Sequence, residues 1–283
     1  MIVLRKMHEI ANTHKELALS YLCIGAIFFA MRSCEYLIST HKEDSKRTRI
    51  IRLRNIKFKK QGILLTINSP NLFLSDIVMI TFEYQKNNNR NKTVHMYKTN
   101  DDLLCPVKAW AYTITRILKT VPNANSDTKV CAYVDSGQVR HIDSTYARAR
   151  LRGIVELIGQ DILGFTKEEA GLHSIRSGGA MAMFLSAVPT IIIQRIGRWD
   201  SDAFMEYIRE QVESFTIGVS SKMILNEKFY HLNQVSTQGI EDQIENSPIQ
   251  QGDGDPILTP NATYFSDQVL KQTKFTQDQD KYE

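Results

Sequence analysis

The sequence lacks the short motifs by which nucleotide cofactors and catalytic zinc ions are usually recognised. It contains no G-x-G-x-x-G, no G-x-x-x-x-G-K-[ST] and no H-E-x-x-H. Its four cysteines form no C-x-x-C pair, so neither a zinc cage nor a disulfide framework is indicated. We therefore expect no cofactor and no metal ion, and we expect reduced, mostly buried thiols at Cys23, Cys34, Cys105 and Cys131.

Long apolar runs are also missing. The longest run near the start of the chain, residues 21–31, contains Gly25 and is much shorter than the roughly 20 residues that span a membrane. Residues 1–15 mix charges of both signs and have no apolar block, which argues against a signal peptide. The sequence thus predicts an intracellular protein with no membrane partner.

Charge is distributed unevenly along the chain. Residues 234–283 carry nine acidic side chains against three lysines, a formal charge of −6; since the whole chain is +4, residues 1–233 carry +10. A basic body suits a polyanionic partner, although an ordinary basic protein would show the same balance. The tail is polar and has little apolar periodicity, which is typical of disorder. We expect one folded domain over residues 1–233 and an acidic, mostly disordered tail over residues 234–283.

Apolar periodicity predicts an α+β fold that is mostly helical, with a small antiparallel sheet inserted after the first helices. Strands are predicted over residues 50–53, 63–67, 77–82 and 93–96, and a polar, Asn-rich hairpin joins the last two. Helices are predicted over residues 8–37, 106–118, 143–158, 172–185, 189–196 and 202–212.

Four short polar stretches stand out within this pattern, and the first two have ordinary explanations when taken singly. Arg32 and Glu35 lie three residues apart, which places both on one face of the predicted helix, as in many surface ion pairs. The hairpin around Lys86 presents basic side chains at a polar turn, where they could reach phosphate groups or simply be solvated.

The third stretch places His173 and Arg176 one turn apart near the start of a predicted helix. Helix N-termini favour phosphate oxygens, and an arginine fork adds bidentate contacts. Gly178 and Gly179 follow inside the helix, where each costs about 1 kcal/mol relative to alanine, which suggests close backbone packing.

The fourth stretch runs from Gly-Arg-Trp at residues 197–199 to a tyrosine eight residues after the tryptophan. In isolation, Trp199 and Tyr207 would be explained as core aromatic residues at helical spacing.

In combination and in this order, the four stretches resemble the catalytic domain of the tyrosine recombinase/integrase family, over about residues 17–223. The Arg-x-x-Glu box, the hairpin lysine, the His-x-x-Arg box and the Trp–Tyr stretch carry the resemblance. The sequence Gly-Arg-Trp-x-Ser-Asp-Ala-Phe-x-x-Tyr-Ile-Arg and a Cys-Pro-Val after the hairpin are most similar to recombinases of eukaryotic mobile elements of the Crypton and DIRS kind. The resemblance implies the fold of that catalytic domain and a site-specific recombinase that integrates or excises a mobile element.

The resemblance also implies roles for individual residues. A tyrosine hydroxyl, whose free pKa is near 10, would form a 3′-phosphotyrosyl ester that preserves the energy of the phosphodiester bond. Two arginines would stabilise the five-coordinate transition state in place of a metal ion, a histidine and a tryptophan would donate hydrogen bonds, and a lysine would protonate the departing 5′ oxygen. The catalytic set is Arg32, Lys86, His173, Arg176, Trp199 and Tyr207. Glu35 would orient Arg32 or its neighbours, and Lys59, Lys60 and Lys92 remain alternatives to Lys86.

Double-stranded DNA is the partner that the resemblance implies, with no small-molecule substrate, a tetramer assembled on DNA and a nuclear location. Residues 215–232 are the candidate for a helix that docks on a neighbouring subunit. Basic residues outside the site are expected to contact the DNA backbone with a strong salt dependence, unless they form a merely solvated basic face. They are Arg47, Arg49, Arg52, Arg54, Lys57, Arg148, Arg150 and Arg152.

Two other functions remain open at this stage. A type IB topoisomerase has a similar site but reseals the same duplex. A truncated or domesticated remnant would bind DNA without cutting it. Only 31 residues precede Arg32, too few for the N-terminal helical DNA-binding domain that these recombinases usually carry, so we expect that domain to be missing from the sequence.

Overall fold

Seven α-helices and six strands make up the part of the chain that the structure describes. The structure is a computed structural model that describes residues 1–39, 49–84, 90–200 and Met205, all within the unit Met1–Ile217. The chain's second unit, Gly218–Glu283, lies outside the described residues, as do the helix predicted over residues 202–212 (apart from Met205) and the candidate docking segment.

The bounds of the elements are as follows. The helices are α1 (Ile2–Glu9), α2 (His14–Phe28), α3 (Pro106–Thr120), α4 (Ser144–Ile158), α5 (Gln160–Leu163), α6 (His173–Leu185) and α7 (Thr190–Gly197). The strands are β1 (Ile56–Lys60), β2 (Ile63–Leu65), β3 (Ile77–Tyr84), β4 (Arg90–Tyr97), β5 (Ala132–Asp135) and β6 (Gln138–His141).

Helix α2 is the central element of the core. It begins at a capping box in which Thr13 and Glu16 satisfy each other's backbone N–H groups. It packs against α1, α3 and α6, so its residues are buried on every side from Ala18 to Ile27 except Tyr21. A Cβ atom on Gly25 would lie 2.7 Å from Cε2 of Trp110, so only glycine lets α3 approach this closely.

The main sheet is fully antiparallel, with strand order β2-β1-β3-β4. Its inner face carries alternate apolar residues of each strand, including Phe58, Ile80 and Val94, which belong to the same core as α2. At one end of the sheet, Phe82 pairs with Lys92, and Tyr84 pairs with Arg90. A second, two-stranded sheet of β5 and β6 turns through residues 136–137, both with positive φ.

The predicted fold class is confirmed: the protein is helix-rich α+β, with a small antiparallel sheet after the first two helices. The predicted segments that became α3, α4, α6, α7, β3 and β4 agree with the structure to within three residues at each end. Strands β1, β5 and β6 were not predicted. No described helix is both long enough and apolar enough to cross a membrane.

The helix predicted over residues 8–37 is not continuous. It is interrupted between Glu9 and His14, and α2 ends at Phe28 because Ala30 adopts a left-handed conformation with φ of 43°. This reversal exposes the last carbonyl groups of α2 to other hydrogen-bond donors. Arg32 and Glu35 therefore lie beyond the helix, in a short 3₁₀ turn.

The strand predicted over residues 50–53 is wrong. Ile51 instead bridges two loops, since its N–H donates to the carbonyl of Glu35 at 2.9 Å and its carbonyl accepts from Val130 at 3.1 Å. Arg52 forms one isolated bridge with Lys129, and the chain then enters a 3₁₀ turn at Leu53. The β-branched side chains of this segment therefore belong to a buried loop and not to a sheet.

Candidate active site

The first part of the site is the turn that follows α2. The Glu35 carboxylate accepts the backbone N–H of Arg32 at 2.8 Å, and its other oxygen lies 3.5 Å from Nη1 of Arg32. The side chain of Glu35 is 1% exposed, whereas that of Arg32 is 22% exposed. The turn thus holds a buried acid beneath an arginine that remains accessible from outside.

Helix α6 brings Arg176 against this turn. Arg176 is 1% exposed; Nη1 donates to the carbonyl of Ala30, and Nη2 donates to the carbonyl of Gly197 at 2.7 Å. Its guanidinium also lies 4.1 Å from the centre of the Trp199 ring. Arg176 therefore connects the end of α2, the end of α7 and the tryptophan, using two of its donors on backbone oxygens.

The glycine pair in α6 has a packing role at one position. A Cβ atom on Gly179 would lie 2.3 Å from the carbonyl oxygen of Ile27, whereas one on Gly178 would meet nothing nearer than 4.0 Å. Close packing of α6 on the end of α2 thus depends on Gly179. That packing brings Arg176 within reach of Ala30.

The Gly-Arg-Trp tripeptide ends α7 in an unusual way. Arg198 takes the left-handed position at the C-terminus, with φ of 59° and ψ of 45°, which glycine normally fills. Gly197 is needed instead because the Trp199 ring folds back over it: a Cβ atom there would lie 1.5 Å from Cζ3 of the ring. The N–H of Trp199 donates to the carbonyl of Gln194 at 3.0 Å and fixes this return.

Arg198 is the residue of the site to which the sequence analysis gave no role. Its Nη2 donates to Glu35 at 2.8 Å, and both side chains are nearly inaccessible, at 2% and 1% exposed. Nη1 donates to the carbonyls of Phe29 and Ile196, each at 2.9 Å. The guanidinium packs on the Phe82 ring at 3.6 Å from its centre. The only sequence signal was the arginine between Gly197 and Trp199, which was interpreted as part of the tryptophan motif.

Positive charge dominates this junction. The pKa of His173 is lowered, first by burial and then by the charges of Arg176 and Arg32. Burial also lowers the pKa of Arg198. The Glu35 carboxylate raises this pKa, and the charge of Arg32 lowers it further. Three arginines and a histidine therefore lie at the same junction as the Glu35 carboxylate, whose oxygens already accept hydrogen bonds. No group of three potential ligands that could hold a metal occurs among the described residues. The arginines are permanently charged and can bind an anion.

A cleft of about 380 Å³ opens beside the junction. Strand β4 lines it with Lys92, Thr93 and Val94, and α7 and the residues after it complete the lining with Ile191, Gln194, Arg195, Arg198, Trp199 and Asp200. The volume suits a small polar group, since ligand pockets usually hold about 300–1,000 Å³. Lys92 and Arg195 add cationic side chains at its walls.

The register of the sheet separates the three candidate lysines that the structure describes, Lys59, Lys60 and Lys92. Lys92 pairs with Phe82 beside the cleft, whereas Lys59 pairs with Ile77, five residues along β3 and roughly 17 Å away. Lys60 follows Lys59 toward that far end. Lys86 lies outside the described residues, but the strands that flank it in sequence, β3 and β4, end on the cleft side of the sheet. Tyr207 also lies outside the described residues.

The basic residues predicted to contact DNA fall into two groups. Some make internal contacts: Arg150 with Glu16 at 3.0 Å, Arg152 with the carbonyl of Ala170 at 3.0 Å, and Arg52 with the carbonyl of Asp127 at 2.8 Å. Arg54 is exposed, but it is ion-paired with Glu83 at 3.0 Å and with Asp127.

The other group is placed at the surface. Lys57 and Arg148 are exposed, and Arg49 is exposed with its guanidinium 4.1 Å from the centre of the Tyr84 ring at the base of the β3–β4 hairpin. Arg47 lies outside the described residues. The surface group thus retains charge that a polyanion could reach.

Comparisons with known proteins give one kind of match. No family model matches the sequence, and no curated protein matches it. Among solved structures, the chain is similar to the XerH site-specific recombinase, in a post-cleavage complex bound to its palindromic difH substrate. The TM-score is 0.48 at 14% identity, over 77% of this chain and 50% of that one. The chain therefore spans about half the length of that recombinase.

Proposed function

We propose that the protein is a tyrosine-type, site-specific DNA recombinase that uses Tyr207 to cleave and rejoin DNA strands. The observation that carries the proposal is the convergence on one junction of Arg32, of the His173–Arg176 pair and of Trp199, which come from three stretches that are distant in sequence. Their convergence on an electropositive site supports a phosphodiester as the group that is bound.

Electrostatics favours a phosphate substrate at this junction. Glu35 neutralises part of the charge, but its oxygens already accept from Arg32 and Arg198. A phosphodiester would supply the missing negative charge, and its transition state would supply more, which fixed guanidinium groups stabilise best. Arg32, the most accessible of the three arginines, would bind an oxygen directly, and Arg176, which is 1% exposed, would stabilise the developing negative charge through its own fixed charge.

The proposed step is a transesterification that conserves bonds. The Tyr207 oxygen attacks phosphorus and its hydroxyl proton passes to water, a new P–O bond forms to tyrosine, and the bond to the 5′ oxygen breaks. Lys86 gives that oxygen its proton, and the rejoining step reverses both transfers. His173 and Trp199 donate hydrogen bonds, and Lys92 adds positive charge along the cleft. Lys59 and Lys60 are set aside because the register places them at the far end of the sheet.

The wider biology is proposed on the sequence resemblance. A recombinase of the Crypton or DIRS kind would integrate or excise a mobile element in the nucleus, and it would act as a tetramer on two duplexes. Residues 1–233 would form the catalytic domain. Residues 234–283 would form the acidic tail, to which we assign no role.

A trapping assay tests the nucleophile. The purified protein is mixed with duplex DNA from the flanks of its own gene, nicked so that the cleaved strand fragment diffuses away, with a metal chelator present. We expect a covalent adduct that survives denaturation, is indifferent to the chelator and is lost in Tyr207→Phe, since phenylalanine has no hydroxyl to attack phosphorus. An adduct that persists in Tyr207→Phe would show that the nucleophile lies elsewhere. DNA binding with no adduct would favour the remnant, and relaxation of supercoils without strand exchange would favour the topoisomerase.

The same assay assigns the general acid. A substrate with sulfur in place of the 5′ bridging oxygen has a leaving group that needs no proton. We expect Lys86→Met to slow cleavage about 100-fold or more on ordinary DNA and to recover on the sulfur substrate. Lys59→Met, at the far end of the sheet, serves as the matched control. If it is the cleavage rate of Lys92→Met that recovers on the sulfur substrate, the general acid is Lys92.

A further inference from the structure

We infer that Arg198 is a positioning residue, which sets Arg32 and Trp199 relative to each other without touching DNA. The inference rests on the proposed function for its kinetic consequence, but its structural basis is independent. Arg198 is the one residue in the described chain that contacts Glu35, the end of α2 and the end of α7 together.

The contacts of Arg198 join the two halves of the site. One half is the turn of Arg32, reached through the Glu35 carboxylate and the carbonyl of Phe29. The other half is the end of α7, reached through the carbonyl of Ile196 and through the backbone that leads directly to Trp199. Removing the guanidinium would release both halves from each other at this point.

The backbone at Arg198 is left-handed, as it is at six other described residues that are not glycine, but at Arg198 the side chain is also buried and engaged in hydrogen bonds. A left-handed conformation disfavours every residue except glycine, and glycine would fit here at no cost. Strain of this kind persists where the surroundings over-determine it, and it concentrates at functional positions. The chain keeps arginine because its planar fork serves three oxygen acceptors and its flat face packs on Phe82.

Lysine would not substitute for this arrangement. Its ammonium is a point charge that cannot hold a carboxylate and two carbonyls in fixed planar directions, nor stack flat on a phenyl ring. The 2% exposure of the side chain also excludes direct contact with a phosphate. Arg198 therefore differs from Arg32 in kind, because it acts through its neighbours.

The test compares four variants with a matched control. Arg198→Met keeps the hydrocarbon volume but removes the buried cation that donates to Glu35 at 2.8 Å and leaves that carboxylate with the longer 3.5 Å contact to the Arg32 guanidinium, so a loss of folding is expected there. The double variant Glu35→Gln with Arg198→Met removes both charges and should fold; Glu35→Gln alone is its reference. Arg198→Lys tests the fork, and Arg140→Met, an exposed arginine paired with Asp135 on the separate β5–β6 hairpin, is the control.

Two readouts separate positioning from stability. The first is the rate of adduct formation at saturating DNA, measured beside the DNA affinity. We expect the double variant to fold and bind DNA within about threefold of Glu35→Gln, yet to cleave about 100-fold more slowly, because a misplacement of about 1 Å costs that much. Arg198→Lys should also stay slow. Cleavage by the double variant within threefold of Glu35→Gln would overturn the inference.

The second readout does not need catalysis. Trp110 and Trp199 are the two tryptophans, and Trp110 is fully buried, so acrylamide quenches chiefly Trp199. We expect quenching to rise in the double variant and in Arg198→Lys, but not in Arg140→Met. If the wild type forms no adduct, the proposed function fails while this readout still decides the inference. Unchanged quenching would overturn it.

Discussion

The two buried arginines of the site act as caps for two helices at once. Arg176 donates to Ala30 and Gly197, and Arg198 donates to Phe29 and Ile196. These four carbonyls lie at the C-terminal ends of α2 and α7, where helices leave acceptors unsatisfied and where positive charge is favoured. Each guanidinium is therefore stabilised by backbone groups of the protein itself, which offset part of the repulsion between the arginines of this junction.

His173 provides a prediction at this scale. Its pKa lies below the ordinary 6.5 because of burial and the charges of Arg176 and Arg32. Below pH 6.5 the unfolded chain therefore binds a proton that the folded chain resists, so stability falls as the pH drops below that value and is unaffected above it. We expect His173→Gln to flatten this part of the profile, measured by urea unfolding between about pH 5 and 8. Parallel profiles for the two proteins would contradict the prediction.

Part of the site could be predicted at the residue scale because its side chains keep fixed spacings. Arg32 and Glu35, and likewise His173 and Arg176, are adjacent in sequence and were correctly grouped as neighbours. Arg198 was missed because its role depends on partners more than 160 residues away, which no local spacing encodes. The left-handed backbone conformation of Arg198 could not be predicted either, since the sequence after Gly197 is typical of an ordinary loop.

At the scale of elements, the contact between α2 and α6 sets the geometry of the site. The end of α2 provides the reversal at Ala30, and the start of α6 provides Arg176. Gly179 lets the two backbones meet at Ile27. The contact between α6 and α2 therefore requires glycine at position 179 but not at position 178, although the two positions are adjacent in sequence.

Two single substitutions test this difference. Gly178→Ala should stabilise the protein by up to about 1 kcal/mol, because alanine is the better helix former and its Cβ meets nothing nearer than 4.0 Å. Gly179→Ala should destabilise it by about 1–3 kcal/mol, since its Cβ would overlap the carbonyl of Ile27. Urea unfolding of both variants measures the effect. Equal shifts of the same sign would mean that α6 does not approach α2 this closely.

The elements also show where sequence patterns fail. Helix α3 has a buried and a half-buried face, and α4 has a buried and an exposed face, so their periodicity located them well. Helix α2 is buried on all sides, so apolar residues continue past Phe28 with no change in pattern to mark its end. Strands β5 and β6 have four residues each, and β6 is exposed throughout, which leaves almost no alternation to detect.

At the scale of the whole molecule, charge is the property that matters for a DNA partner. Residues 1–233 carry a formal charge of +10, but several arginines are engaged with acids or carbonyls inside the fold. The acids are already subtracted in this total, so these contacts do not lower the net charge, but they reduce the number of arginines that are free to bind a phosphate directly. The charge available to DNA is concentrated on exposed residues and around the cleft, where Lys92 and Arg195 lie.

Two arginines on α4 allow this to be measured. Arg148 is exposed, whereas Arg150 contacts Glu16 at 3.0 Å and the carbonyl of Ile10 at 3.3 Å. We expect Arg148→Ala to weaken DNA binding and to reduce the slope of log affinity against log salt by about 1, with no change in stability. Arg150→Ala should leave that slope unchanged and lower the free energy of unfolding by about 1 kcal/mol. The reverse pattern would place DNA on the Arg150 side of the helix.

The long sequence separation within the site has a consequence during protein synthesis. Glu35 and Arg198, which form the buried pair, are 163 residues apart. At about 5–20 residues per second, a ribosome adds Arg198 roughly 8–33 seconds after Glu35. Throughout that interval the acid has Arg32 beside it but not the buried arginine that donates to it at 2.8 Å, and the Arg32 turn lacks its partner helices. A nascent chain therefore cannot assemble this junction until α7 has emerged, after most of the body has been made.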